Sequence, residues 1–388
     1  MTTAPRIYLD NAATSWPKPE SVYQAVEHYQ RHLGAPAGRS AYREAAEVER
    51  LILDGRKRIA DLIGTSEPER VVFTANGTDA LNLAIHGILR PGDHVVTTVL
   101  EHNSVLRPLR ELEEQAIEVT RVGCDREGWV DPSDICKAVQ PHTKLIIMLH
   151  ASNVTGTLQS VGDVARIARE HGARFLVDAA QSLGHVPVDV REWDVDLLAA
   201  PGHKGLLGPL GTGVLYVGPG AEHALRPLRQ GGTGTHSESD QQPESLPDRY
   251  ESGNHNVPGL VGLRAGVRFI QERGVDSIRS HHARLTKQLV EGLSVIRGVT
   301  ILGPRDAARR AGLVCITIDG YDPQEVATAL DAAYAIQVRS GLHCAPLAHR
   351  AMGTLDRGGA VRFSLGVFNT SAEIERASEA VSEIAATG

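Results

Sequence analysis

The chain has 388 residues, 41% apolar and 22% charged, with 40 basic against 47 acidic side chains and a formal charge of −7. That length exceeds what a single hydrophobic core usually serves, so two domains are expected, and an acidic balance without any basic run excludes nucleic acid as an expected partner. No apolar run approaches the ~20 residues that cross a bilayer, and the opening MTTAPRIYLDNAATSWPKPE lacks the pattern of a secretory signal, so no membrane partner is expected.

Four cysteines, Cys124, Cys136, Cys315 and Cys344, are scattered without metal-ligand spacing. Neither a disulfide framework nor a zinc site is expected from them, and the pattern fits a reducing cytoplasm.

In chain order, Ile7 to Asp10 predicts a short strand, closed by a turn-forming segment from Asn11 to Pro19 in which Pro17 and Pro19 act as breakers. A helix follows from about Glu20. Val48, Leu51, Ile52, Ile59, Leu62 and Ile63 then recur at helical spacing, which predicts an amphipathic packing helix over Val48 to Gly64. Val71-Val72-Phe73 predicts a strand running into Thr74-Ala75-Asn76-Gly77-Thr78, and Leu81, Ala84, Ile85 and Ile88 mark a helix after it. The first amide groups of a helix are unpaired and its dipole favours negative charge, so Gly77 and Thr78 are candidates to cradle a phosphate; an ordinary capped helix is the plainer alternative.

Strands at Asp93 to Thr98 and Lys144 to His150 lead into Leu100-Glu101-His102-Asn103 and Ser152-Asn153-Val154-Thr155-Gly156, with helical stretches at Leu106 to Gln115 and Val161 to His171. Such alternation predicts right-handed βαβ units in a mainly parallel sheet, with functional residues at the carboxyl ends of the strands, where His102, Asn153 and Asp178 fall. From Phe175 to Val217 the sequence reads as a buried strand ending in Asp178, a turn carrying Gln181, a second strand from Leu197 to Ala200, and then Pro201-Gly202-His203-Lys204. A glycine-rich run and a strand from Val214 to Val217 complete it. An acid at one strand end and a lysine at the next suit pyridoxal 5′-phosphate: the carboxylate keeps the pyridine nitrogen protonated and the amine holds the aldehyde. An imidazole at His102 is suited to stack on the pyridine face and to move protons.

Gly231 to Asn256 is polar and rich in Gly, Ser and Pro, without apolar period. A structureless segment of that length inside a domain usually has a task, and a surface excursion is the alternative. Beyond it, helices are predicted at Pro258 to Glu272, His282 to Ile296, Pro323 to Ala333 and from Ser371. Strands are predicted at Val299 to Leu302, Leu313 to Ile318, Ile336 to Arg339 and Ala360 to Ser364. Two blocks here carry chemistry. VRSGLHCAP (Val338 to Pro346) sets Cys344 in a glycine-led loop near Arg339, and AVRFSLGVFNT (Ala360 to Thr370) contains Arg362, whose two-pronged guanidinium matches a carboxylate.

The blocks DNAATSWPKP, EHNS, DAAQS, GHKG, RSGLHCAP and AVRFSLGVFNT, in that order along nearly the whole chain, resemble the fold-type I, class V aminotransferase-like enzymes and specifically their cysteine desulfurase branch. The short form of the cysteine block is similar to group II of that branch. The resemblance implies an α/β fold with a large cofactor domain over residues 15–262 and a smaller α+β domain from residues 1–14 and 263–388. It implies pyridoxal 5′-phosphate held by Gly77, Thr78, His102, Asn153, Asp178, Gln181, His203, Lys204 and Asn254, and a substrate carboxylate held by Arg362 with Asn153 and Arg339. Lys204, Cys344, His102 and Asp178 would be catalytic, turning L-cysteine or selenocysteine into L-alanine with a persulfide on Cys344 for a sulfur-acceptor protein. The segment around Asn254 would complete a neighbour's site in a homodimer. The sequence departs from the pattern at Pro201, where relatives carry Ser or Thr, and at Asn254, where they often carry Thr. The alternatives are C–S lyase, selenocysteine lyase or aminotransferase activity, or a non-catalytic scaffold that binds an acceptor.

Overall fold

The computed structural model of the protein describes residues 6–38, 41–235 and 238–386. After β1 (Ile7–Tyr8) come β2 (Val71–Thr74), β3 (His94–Thr98), β4 (Glu118–Val122), β5 (Thr143–Leu149), β6 (Arg174–Asp178), β7 (Leu197–Pro201) and β8 (Gly213–Val217). β2 to β8 form a seven-stranded sheet in the order β2-β8-β7-β6-β5-β3-β4. β3 to β7 run parallel, and β8 lies antiparallel between β7 and β2. Continuous apolar runs suit strands covered on both faces, and β2, β3, β7 and β8 are buried at every residue.

Alternation along each strand divides the core. Val96, Ile146, Phe175 and Val177 pack with helices 43–62, 161–170 and 257–273 on one face. Val95, Leu145, Ile147 and Leu176 pack with helices 77–88 and 103–113 on the other.

The C-terminal part adds β9 (Val299–Leu302), β10 (Leu313–Ile318), β11 (Ile336–Gln337), β12 (Arg339–Gly341) and β13 (Ala360–Ser364). β12-β13-β10-β9 make an antiparallel sheet, and β1 pairs in parallel with β11. Ile7 and Leu9 bury themselves among Leu285, Leu289, Val326, Leu330 and Ile374, so the start of the chain belongs to this second core.

Several elements differ from the sequence expectation. β4 and the helix Pro132–Ala138 were not anticipated, because β4 is a sheet-edge strand, EVTRV, with only Val122 buried and no apolar run to mark it. Helix 103–113 starts ahead of the apolar pattern because His102 caps it. The single strand expected over Ile336 to Arg339 is two, since β11 pairs with β1 while β12 pairs with β13. No helix among the described residues is long and apolar enough to cross a membrane.

The polar stretch 231–256 contains no helix or strand among its described residues. It is secured near its end by a buried ion pair. Arg56 Nη1 and Nη2 donate to Glu251 Oε1 and Oε2 at 2.7 and 2.8 Å, Glu251 also accepts from the Phe73 N–H, and Arg56 donates to the Val71 carbonyl. One carboxylate thereby fixes the loop to both helix 43–62 and β2. Removing one partner of such a pair strands a buried charge, so Glu251→Ala should lower the unfolding free energy by about 3–5 kcal/mol in urea titrations. A loss below about 1 kcal/mol would show that the pair does not anchor the loop.

Candidate active site

A cleft with about 560 Å³ of empty space, partly continuous with solvent, opens at the carboxyl ends of β5, β6 and β7. Its walls carry Gly77, Thr78, His102, Asn153, Asp178, Gln181, His203 and Lys204. The parallel register explains this convergence, because Leu149 and Asp178, the last residues of β5 and β6, are lateral partners, and Asp178 pairs in turn with Ala199 within β7. Sheet geometry alone thus delivers residues from positions far apart in sequence to one place.

Asp178 is buried, and one of its oxygens accepts the Ala180 N–H at 2.9 Å. Burial raises its pKa, while that hydrogen bond and the charge of Lys204 oppose the rise. Burial pushes the Lys204 ammonium down to about 8; Arg362 and Arg339 add to the lowering, and Asp178 and Cys344 oppose it. The site therefore holds an amine with an accessible neutral form beside a carboxylate short of counter-charge.

His102 caps helix 103–113, its Nδ1 accepting the Ser104 N–H at 3.0 Å. A nitrogen that accepts carries no proton, so the proton sits on Nε2. Burial, followed by the charges of Lys204 and Arg339, pushes the imidazole down to about 4, and the ring is neutral at physiological pH. The Ser104 hydroxyl lies 2.9 Å from His102 Nδ1 and 2.8 Å from the Thr78 hydroxyl. Asn76 caps helix 77–88 by accepting the Asp79 N–H, so the unpaired first amides of this helix border the cleft beside the Thr78 hydroxyl.

The N-terminal segment straps this loop in place. The His203 carbonyl accepts from the Ser15 N–H at 3.0 Å and from Lys18 Nζ at 2.9 Å, and Ser15 Oγ reaches the Lys204 carbonyl at 3.0 Å. Gln181 Nε2 donates to the Ala12 carbonyl at 3.0 Å.

Cys344, Arg339 and Arg362 do not line the cleft, yet Asn153 links them to it. Its Nδ2 donates to the His343 carbonyl at 2.6 Å, and its own carbonyl accepts from Arg362 Nη1 at 3.3 Å. Arg339 Nη2 lies 3.5 Å from Cys344 Sγ. Arg362 is fully buried and pairs with Asp10 through Nη2 at 2.9 Å.

Comparison with known proteins agrees with this geometry. The class-V aminotransferase family matches residues 7–377. The chain belongs to that family. It is 39% identical over 386 residues to a probable cysteine desulfurase of Methanothermobacter thermautotrophicus, covering 98% of this chain and 95% of that protein. It is 36% identical to a probable cysteine desulfurase of Pyrococcus abyssi, covering 95% and 92%. The apo structure of a cysteine desulfurase from Thermococcus onnurineus superposes with a TM-score of 0.92 at 35% identity, covering 99% of this chain and 95% of that one.

For a class-V aminotransferase site, the residues present fit pyridoxal phosphate. Asn153 Oδ1 and His203 Nδ1 are buried without a partner among the described residues and belong to cleft-lining side chains, and a bound group with polar edges would meet that need. Pro201 packs against the helix terminus so closely that a Cβ on Gly77 would come within 3.0 Å of its Cδ; Thr78 and Ser104 remain as hydroxyls on the wall. Asn254 is not brought to this cleft. It lies with Glu251 and His255 on separate clefts of the same subunit.

Sequence reasoning passed over Ser104, Ser15, Lys18, Asp10 and Glu101. Glu101 is wholly buried, accepting from the Thr98 hydroxyl at 2.8 Å and the Leu149 N–H at 3.2 Å, and so ties β3 to β5 beneath Asp178. Burial pushes its pKa up to about 8. An acid directly ahead of His102 at a strand end was the signal for it.

The buried titrating groups dictate how stability depends on pH. His150, His185 and His349 are held neutral with pKa values pushed down to about 4, and His282 well below its ordinary value, in each case chiefly by burial. Below about pH 6.5 the unfolded chain protonates these rings while the folded chain does not, so stability is lost as pH falls from there toward 4. Glu101, pushed up to about 8, works in the opposite direction, holding a proton in the fold that the unfolded chain has released at pH 5, and burial raises Asp178 in the same sense. Burial holds His102, His203 and His343 neutral as well, so the histidines outnumber the acids and unfolding takes up protons near pH 5. Urea midpoints should therefore be flat near neutrality and fall steeply between pH 6 and 4.5; a midpoint that rises over that range would contradict the assignment.

Proposed function

We propose that the protein is a pyridoxal phosphate-dependent cysteine desulfurase that converts L-cysteine to L-alanine and retains the sulfur as a persulfide on Cys344. The reading is carried by one observation: Cys344 and the two arginines are held, through Asn153, against the cleft that contains Lys204 and Asp178. A transaminating or eliminating site needs the lysine, the acid and an anion anchor, but no thiol at that place.

In this reading the helix 77–88 terminus, Thr78 and His203 would hold the phosphate, His102 would stack on the ring, Asn153 and Gln181 would meet its polar edge, and Asp178 would pair with the pyridine nitrogen. Bound there, the cofactor supplies an electron sink at the substrate α-carbon. Lys204 would hold the cofactor's aldehyde, and its Nζ would take up the substrate α-proton; a pKa lowered to about 8 suits a base working near neutrality. Arg362 and Arg339 receive the substrate carboxylate. The Cys344 sulfur then attacks the substrate sulfur: an S–S bond forms, the substrate C–S bond breaks, and the β-carbon gains a proton. Cysteine sulfur is thereby oxidised to the persulfide level and the carbon reduced from C–S to C–H, so no external oxidant is needed. The persulfide passes to an acceptor protein, and Asn254, displaced from its own subunit's cleft, serves the neighbouring site of a cytoplasmic homodimer.

The test is product analysis with purified protein and L-cysteine. Alanine and reducible sulfide are expected in equal amounts, and Lys204→Ala should abolish both. Cys344→Ser should lower alanine formation at least about a hundredfold while leaving cofactor content unchanged. Alanine formation by Cys344→Ser at the parent rate would overturn the reading, and pyruvate with ammonia from both proteins would replace it with C–S lyase chemistry.

A further inference from the structure

Two guanidiniums face each other on the small sheet. Arg339 and Arg362 are directly opposite partners in the antiparallel pairing of β12 with β13, an arrangement that like charges resist. Among the described residues, the carboxylate that meets either arginine within ion-pair distance is Asp10, at 2.9 Å from Arg362 Nη2. The Asp10 backbone is pinned: it bridges to Ser364, Ser364 N–H donates to the Leu9 carbonyl at 2.7 Å, and the Ala12 N–H donates to Ser364 Oγ at 2.9 Å. Its carboxylate is therefore delivered to Arg362 by the fold, not by a freely moving side chain. The Arg362 fork is nevertheless incompletely used, since Nε is buried without a partner.

From this geometry we infer that Asp10 is a positioning residue that sets the affinity of the substrate-carboxylate site by occupying Arg362 as an internal counter-ion. The inference rests on the anchoring role proposed above for Arg362. Two arginines and one aspartate leave one positive charge, which a single carboxylate neutralises. Asp10 thus spares the fold an uncompensated buried cation at Arg362 and holds the guanidinium in place, and in exchange it competes with the incoming carboxylate for Nη2 and repels it.

Asp10→Asn is the informative substitution, because its amide oxygen still accepts from Nη2 while the negative charge is gone. Two quantities should move together in the holoenzyme. The KM for L-cysteine should fall about tenfold with little change in kcat, and the calorimetric Kd of propionate, a carboxylate with no amine to react, should fall by a similar factor, the scale of one charge-assisted contact. If Asp10→Asn does not fold, Asp10→Ser, a neutral and smaller acceptor, carries the same expectation. A KM and propionate Kd that stay constant or rise in a folded variant would overturn the inference and leave Asp10 a purely structural anchor. Absence of alanine formation by the parent enzyme would defeat the desulfurase reading instead, and the propionate measurement would still decide the role of Asp10.

Discussion

An amine and a carboxylate buried at the tips of neighbouring parallel strands are the constraint on which the rest of this molecule depends. Each is disfavoured by burial, and each lies close enough to moderate the other's shift. Parallel strands end on the same side of the sheet, so β6 and β7 cannot place Asp178 and the Lys204 loop anywhere but side by side. The surroundings then add to the demand for a ligand: a helix terminus with unpaired amides, a neutral His102, and unpartnered atoms on Asn153 and His203. The cleft is polar where a charged, flat, phosphate-bearing molecule is polar.

A second requirement is that the lysine loop and the arginine strand, which belong to different sheets, keep a fixed relation. The N-terminal segment meets it. Asp10 and Asn11 pair with Arg362 and Ser364 on β13, and a few residues later Ser15 and Lys18 bind the carbonyls of His203 and Lys204. The same short stretch of chain therefore touches both halves of the candidate site. Burial pushes Lys18 down to about 8, a cost accepted for a donor that caps the His203 carbonyl. Loosening this strap would separate Arg362 from Lys204 without altering either.

Much of this arrangement is legible in the order of residues along the chain. The strand-end positions of His102, Asn153, Asp178 and Lys204 follow from apolar runs interrupted by polar residues, and the parallel sheet follows from their alternation with helices. What the sequence conceals is pairing at long range. Nothing local marks Glu251 as the partner of Arg56, or Asp10 as the partner of Arg362, because the residues that meet are some 200 and 350 positions apart. β4 is hidden for a different reason: an edge strand needs no apolar face, and its polar sequence looks like loop. Ser104 escapes notice because a serine at the start of a helix is ordinarily only a capping group, whereas here it joins His102 to Thr78.

The cysteine shows how strain and function are combined. Leu342 to Ala345 form a turn closed by the Ala345 N–H on the Leu342 carbonyl at 2.9 Å, and both central residues, His343 and Cys344, have positive φ, 50° and 58°. Turns of this kind favour Asn and Gly, and placing side chains like these in the left-handed region costs about 1–2 kcal/mol each. Two contacts offset this cost: the cleft-lining Asn153 binds the His343 carbonyl through Nδ2, and the Asn103 N–H binds the Cys344 carbonyl at 2.7 Å. On the other side, the His343 ring meets His349 at 3.1 Å, and His349 in turn meets the Thr354 hydroxyl at 2.8 Å. The strained conformation is thus held by docking of the turn on Asn103 and on the cleft-lining Asn153. A cysteine on a relaxed loop would sample many positions. A cysteine whose backbone strain is offset by docking is held beside the cleft in the folded protein, with Arg339 Nη2 3.5 Å from its sulfur.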